Sequence, residues 1–244
     1  TRRRKKITPI LSAAGQMKRI ITNRLLYAVL LPAFLLFAGR VKAAAVPLYD
    51  HIALYGEAEY EPGFKNFSYV NPDAPKGGRI VMPDYGGPAT AVGLTLDTLA
   101  VSPADDPSAA YPLLAEKFEL PQDKSFVGFI INPKARFHDG TPVTADDVIF
   151  SFNSLIEKGQ PLYKMYYADV ERAEKINDRH VRFYFRKGSN NRELPLILSQ
   201  IGILSKADWE GKDFAKPSLK PMLGSGPYKI KNFQPGKFVV LERV

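Results

Sequence analysis

The sequence predicts a mixed fold of α-helices and β-strands, and three stretches carry that prediction. Ala135 to Lys158 joins a strand end, a turn and a capped helix start in one run. Val170 to Ile176 and His180 to Phe185 read as two strands joined by Asn177-Asp178, a dipeptide suited to a hairpin turn. A second hairpin is expected from Tyr228 to Phe233 and Phe238 to Leu241, turned by Gln234-Pro235-Gly236. Strands and helices are mixed without internal repeat or low-complexity linker, so the class is α/β or α+β.

The elements follow in chain order. Val46 to Asp73 is rich in Tyr, Phe and Gly without clear periodicity and reads as extended structure anchored by its aromatics. Arg79-Ile80-Val81-Met82 should begin a short strand, and Gly86 to Gly93 reads as a loop. Leu94 to Val101 and Tyr111 to Phe118 carry enough Leu and Ala for short helices or helix-turn segments. Phe126 to Phe137 reads as a strand with Phe129 and Ile131 on one face, ending at the Asp139-Gly140 turn.

Thr144 then caps a helix whose first turn holds Asp146 and Asp147, negative charge at the positive end of the helix dipole. Val148, Ile149, Phe152, Leu155 and Ile156 fall on one face of it, to be buried against a sheet. Gly159-Gln160-Pro161 stops the helix, and the cluster Tyr163, Tyr166 and Tyr167 follows. Val181, Phe183 and Phe185 alternate inward in the first hairpin. Leu194 to Ile203 reads as a short helix, and Lys206 to Pro221 as a polar loop holding the single Trp, Trp209.

The net charge of +9 is unevenly placed: residues 1–45 hold ten basic side chains and no acidic one, while the remainder holds 24 basic and 25 acidic ones. Past residue 45 no cationic footprint argues for nucleic acid. Residues 1–45 form an N-terminal extension and a signal peptide: Lys18-Arg19 and Arg24, an apolar run from Leu25 to Ala38, then Ala43-Ala44-Ala45. Cleavage after Ala43 or after Ala45 fits, and Met17 is a natural start. A transmembrane anchor is the rival reading, but 14 apolar residues interrupted by Pro32 fall short of the roughly 20 that a span needs. The expectation is a soluble periplasmic protein. With no Cys in the chain, it must rely on a hydrophobic core in place of disulfides.

No catalytic or metal constellation emerges. His51, His138 and His180 lie at no metal-ligand spacing. His138-Asp139 could be an acid/base pair, but a turn role accounts for it. Ser225 stands between Gly224 and Gly226, yet a nucleophile elbow would need Gly where Leu223 and Pro227 stand. Asp146 and Asp147 point about a quarter-turn apart on a helix and do not converge on one atom. The tyrosines at 163–167 could face a peptide or sugar ligand, or form core. The reading is a binding protein, not an enzyme, with no cofactor and no metal; an envelope hydrolase is the competing class.

Three runs add a family resemblance. Leu113 to Leu120 (LLAEKFEL), Ile131 to Leu155 (INPKARFHDGTPVTADDVIFSFNSL) and Leu223 to Val244 (LGSGPYKIKNFQPGKFVVLERV) resemble the family 5 extracellular solute-binding proteins of ABC importers. HIALYGEAEY and FSYVNPDAPKGG look like the Yej-like branch, whose members take up oligopeptides and microcin-like peptides. The resemblance implies a periplasmic binding protein-like α/β fold of the class II, peptide-binding type. It implies an oligopeptide ligand clamped between domains I and III, delivery to the permease subunits of an ABC transporter in the inner membrane, and a monomer.

Projected onto this chain, residues 46–90 form the first part of domain I, 91–183 domain II and 184–244 an incomplete second part of domain I. Domain III and the returning part of domain I are absent, and the family's segment resembling T-F-D-S-L-N-P-F is missing after Tyr85. On this reading the chain is a fragment that binds peptide weakly or not at all and exposes apolar surface, or else a non-functional remnant of such a gene. The resemblance carries two ligand-binding candidates: Tyr163, and the loop Gly224, Ser225 and Gly226.

Overall fold

The computed structural model describes residues 45–83, 89–189, 192–216, 218 and 220–244. The export-signal reading and the Gly86-Gly87-Pro88 segment lie outside these residues. Among the described residues no helix is long and apolar enough to cross a membrane.

The central layer is an antiparallel five-stranded sheet in the order β1-β5-β6-β8-β7. Its strands are β1 (Leu48–Tyr49), β5 (Ala115–Glu119), β6 (Phe126–Ile131), β7 (Val170–Asn177) and β8 (His180–Phe185). A three-stranded sheet in the order β2-β4-β3 combines β2 (Ile52–Ala53), β3 (Ala100–Val101) and β4 (Ala109–Pro112). A separate antiparallel pair is formed by β9 (Tyr228–Gln234) and β10 (Phe238–Arg243), with a register shift between Val240 and Leu241. The helices are α1 (Ala89–Thr95), α2 (Ala145–Lys158), α3 (Pro161–Tyr166) and α4 (Leu194–Ser199).

Period-two alternation builds the core. Val127, Phe129 and Ile131 of β6 and Val181, Phe183 and Phe185 of β8 all point to one buried face. Phe152 of α2 meets Phe183 edge-on at 5.1 Å, and Phe118, Phe129 and Phe183 continue the T-shaped packing at 5.9 Å per step. Val148 and Phe152 are buried, and Ile149, Leu155 and Ile156 pack against the same cluster, so the helical stripe lies where its spacing placed it. At the start of α2 a capping box joins Thr144 to Asp147, whose Oδ2 accepts from the Thr144 amide (2.8 Å) and hydroxyl (2.6 Å). Asp147 Oδ1 takes the Lys206 amide at 2.8 Å, so this buried carboxylate has donors on both oxygens.

The opposite face of the sheet is polar yet partly covered. Glu119 accepts two bonds of 2.6 Å from Arg182 and lies 2.9 Å from His180 Nε2, with its side chain only 6% exposed. Gly128 lies beside it on β6, where a Cβ would come within 2.6 Å of the Glu119 carboxylate. The Arg172 guanidinium stacks on Tyr184.

Five expectations are corrected. Tyr111 to Phe118 is not helical: Tyr111 belongs to β4 and Phe118 to β5, because both residues are buried in sheet pairings that outweigh local propensity. Leu94 to Val101 divides between the end of α1 and β3, and Ala89 to Gly93, expected as loop, begins α1. The strand expected through Phe137 ends at Ile131, where Asn132 starts a turn whose carbonyl accepts from Ala135. Arg79 to Met82 forms no strand; Ile80 and Val81 are 85% and 81% exposed, with no pairing strand beside them among the described residues.

Candidate functional site

The Gly224-Ser225-Gly226 loop is held by two segments far from it in sequence. The Thr95 carbonyl accepts from the Ser225 amide (3.1 Å) and the Gly226 amide (2.9 Å), and the Asp97 amide donates to Ser225 Oγ at 3.2 Å. The turn after Phe137 grips the loop from another direction: the His138 amide donates to the Gly224 carbonyl (2.8 Å), and His138 Nε2 donates to the Gly226 carbonyl (2.9 Å). A Cβ on Gly224 would overlap the Thr95 carbonyl, and one on Gly226 would come within 2.7 Å of the Leu94 carbonyl. Glycine is needed here because backbone packs directly on backbone.

Thr95 to Thr98 is the hub of this arrangement. On its other side the Asp97 carbonyl accepts from the Ile203 amide at 3.0 Å, and Thr98 bridges to Gly202. The Asp97 carboxyl is pushed up to about 6 by burial, which the positive charge of His138 partly offsets. Its carboxylate has no hydrogen-bond partner among the described residues, so it is a desolvated acid that a cationic group would stabilise.

The neighbouring Asp139 differs in role. Its Oδ1 accepts from the Thr141 amide (2.9 Å) and hydroxyl (2.6 Å), which hold its carboxyl below the ordinary range. His138 and Asp139 therefore do separate work, one on the loop and one in the turn.

Tyr163 lies elsewhere. It sits on α3, partly buried against the core, with its ring parallel to that of Tyr167 at 6.4 Å. Tyr167 is 5% exposed, and burial first, then Tyr163, pushes its phenol up to about 12. Among the described residues no hydrogen bond or ring contact joins Tyr163 to the Gly224 loop. Asp97, and the part His138 plays in the loop, escaped the sequence reading.

A cavity of about 890 Å³ opens between the Phe137 turn, the first turn of α2 and residues 205–211. Four of its five carboxylates are already engaged: Asp139 by Thr141, Asp146 by Lys175 (2.5 Å), Asp147 by the cap, and Asp208 by Lys212 (2.8 Å). Among the described residues no group of three or more His, Cys, Asp or Glu could hold a metal ion.

The model for bacterial extracellular solute-binding proteins, family 5, matches residues 109–244, which include the Phe137 turn, α2 and the glycine loop. The chain belongs to this family. It is 40% identical to the peptidoglycan-binding protein YepA of Agrobacterium fabrum over 88% of this chain and 39% of that protein. It is 38% identical to the probable peptide-binding protein YejA of the same organism, over 79% of this chain and 34% of that protein. Among solved structures, the oligopeptide-binding protein AppA of Bacillus subtilis, in complex with a nonapeptide, superposes with a TM-score of 0.54. It shares 25% identity, with 62% of this chain and 31% of that one covered. The family 5 chain thus spans little more than a third of the length of the curated relatives it matches.

Proposed function

We propose that the chain serves oligopeptide uptake as the substrate-binding component of an ABC importer. In this reading it is exported by a cleavable signal peptide, works as a monomer in the periplasm and delivers peptide to the permease subunits. The observation that carries it is the glycine loop, pinned by His138 and Thr95 beside the unpaired, desolvated carboxylate of Asp97. Family membership supports it, as do a relative named as a probable peptide-binding protein and a similar structure that holds a nonapeptide. A free peptide brings an ammonium group for the Asp97 carboxylate, whose burial His138 offsets only in part.

In a hinged clamp, affinity comes from closing two walls on the ligand. Two anchoring points, the Asp97 carboxylate and the glycine loop, should hold a free peptide weakly, with a Kd on the order of millimolar. Calorimetry against a library of tri- to pentapeptides tests this. Weak binding that Asp97→Asn reduces further is the expected result. Complete absence of binding at tens of millimolar peptide, with the chain folded, refutes the peptide reading.

A further inference from the structure

A second cavity, of about 520 Å³, opens between residues 60–70 and the edge formed by β3 and β4. Its floor is Tyr111, 1% exposed, whose hydroxyl donates to Asp106 at 2.7 Å and accepts from the Tyr60 amide at 3.1 Å. The rings of Tyr60 and Phe64 stand edge-on to it at 5.4 Å each, and Phe67 packs on Phe64 at 5.2 Å. The Tyr60 hydroxyl donates to Asp105 and accepts from the Ser68 amide (2.9 Å), and Ser68 Oγ donates to the same carboxylate at 2.6 Å. An irregular loop is thus locked at both ends of its aromatic row.

The locked rings are not fully used by the fold. Phe64 keeps 36% of its surface exposed although it is packed on three other rings. Around it, Glu61 and Lys65 form no ion pair among the described residues, and Asn66 uses only its Nδ2, toward the Phe67 and Val70 carbonyls. His51 Nδ1 and Ser102 Oγ, one residue along the chain from the lining residues Asp50 and Val101 but not themselves lining the cavity, are buried without a partner among the described residues. Buried orphan polar atoms of this kind are uncommon in native folds.

A rigid, partly exposed aromatic cluster rimmed by one acid, one base and an amide whose Oδ1 is uncommitted suits a flat ligand that is apolar on its face and hydroxylated at its edge. A pyranose ring has that shape, and the cavity has room for a disaccharide. We propose that this cavity is a glycan-binding subsite in which a sugar ring stacks on Phe64 while Glu61, Lys65 and Asn66 bind its hydroxyl and amide groups. The choice of glycan draws support from the relative named as peptidoglycan-binding, since that polymer carries sugars alongside short peptides. The inference goes beyond the peptide reading and does not depend on it.

The test uses amide-resolved NMR of the intact chain titrated with N,N′-diacetylchitobiose, a disaccharide without peptide, and separately with a tripeptide. The disaccharide should shift the amides of residues 60–70 and leave those of Gly224 to Gly226 unmoved. Phe64→Leu, which keeps an apolar filler but removes the flat face, should weaken the disaccharide by about tenfold. Lys65→Ala, at an exposed side chain outside the packing, should weaken it too and guards against a folding defect in the first variant. Three results overturn the proposal: no shift at residues 60–70, disaccharide affinity unchanged in both variants, or shifts there produced by the tripeptide alone.

Discussion

At Glu119 a buried carboxylate is stabilised by the two Arg182 bonds and the His180 contact. Glu119→Gln would leave the Arg182 charge unneutralised in a partly covered site, at a cost of about 3 kcal/mol in chemical denaturation. Gly128→Ala should act on the same network, because its Cβ would displace the carboxylate; the two substitutions together should cost less than their sum, which a double-mutant cycle would read. Asp97 behaves in the opposite sense. Its folded value, about 6, lies above the ordinary aspartate value of 3.8, so the folded chain binds the extra proton between those two pH values. Its contribution to stability is therefore greatest at low pH and declines as pH rises from about 4 through about 6. Asp97→Asn should remove that slope and raise stability at neutral pH by about 1 kcal/mol, once solvent screening of a partly exposed group is discounted. A parallel pH profile in the variant would contradict this.

Among the elements, α2 and the β7-β8 hairpin were legible in the sequence because everything that fixes them is local: a cap, a stripe at helical spacing, an alternation of period two. Thr144→Ala should accordingly cost about 1 kcal/mol, read from equilibrium unfolding, through loss of the hydroxyl bond to Asp147. β4 and β5 were not legible, since Ala, Leu and Glu favour helix and only pairing with distant strands makes them sheet. The candidate site divides in the same way. The Gly-Ser-Gly loop stood out as a motif, whereas its partners did not: His138 lies 88 residues from Gly226, and Asp97 lies 128 residues from Ser225. No periodicity encodes contacts of that range. The Asp139 turn was visible because its bonds reach only two residues along the chain.

For the whole molecule, the core is concentrated between the five-stranded sheet and α2, and apolar surface remains elsewhere. Ile80, Val81 and Met82 are largely exposed, and Phe238, Val239 and Val240 of β10 keep 39% to 48% of their surface exposed. Among the described residues β9 and β10 pair only with each other, and a two-stranded ribbon of this kind invites further pairing. Sedimentation velocity should show a monomer at low concentration and reversible association as concentration rises, reduced by Val239→Lys. A single monomeric species at every concentration would contradict that expectation. The proposed peptide-binding surface of this family 5 chain is formed by Asp97 and the Gly224 to Gly226 loop. Titration of the isotope-labelled chain with a tripeptide, in its free and N-acetylated forms, should shift Asp97 and Gly224 to Gly226, and the shifts should weaken when the amino terminus is acetylated. Amides at those positions that stay unmoved at saturating peptide would overturn the proposal.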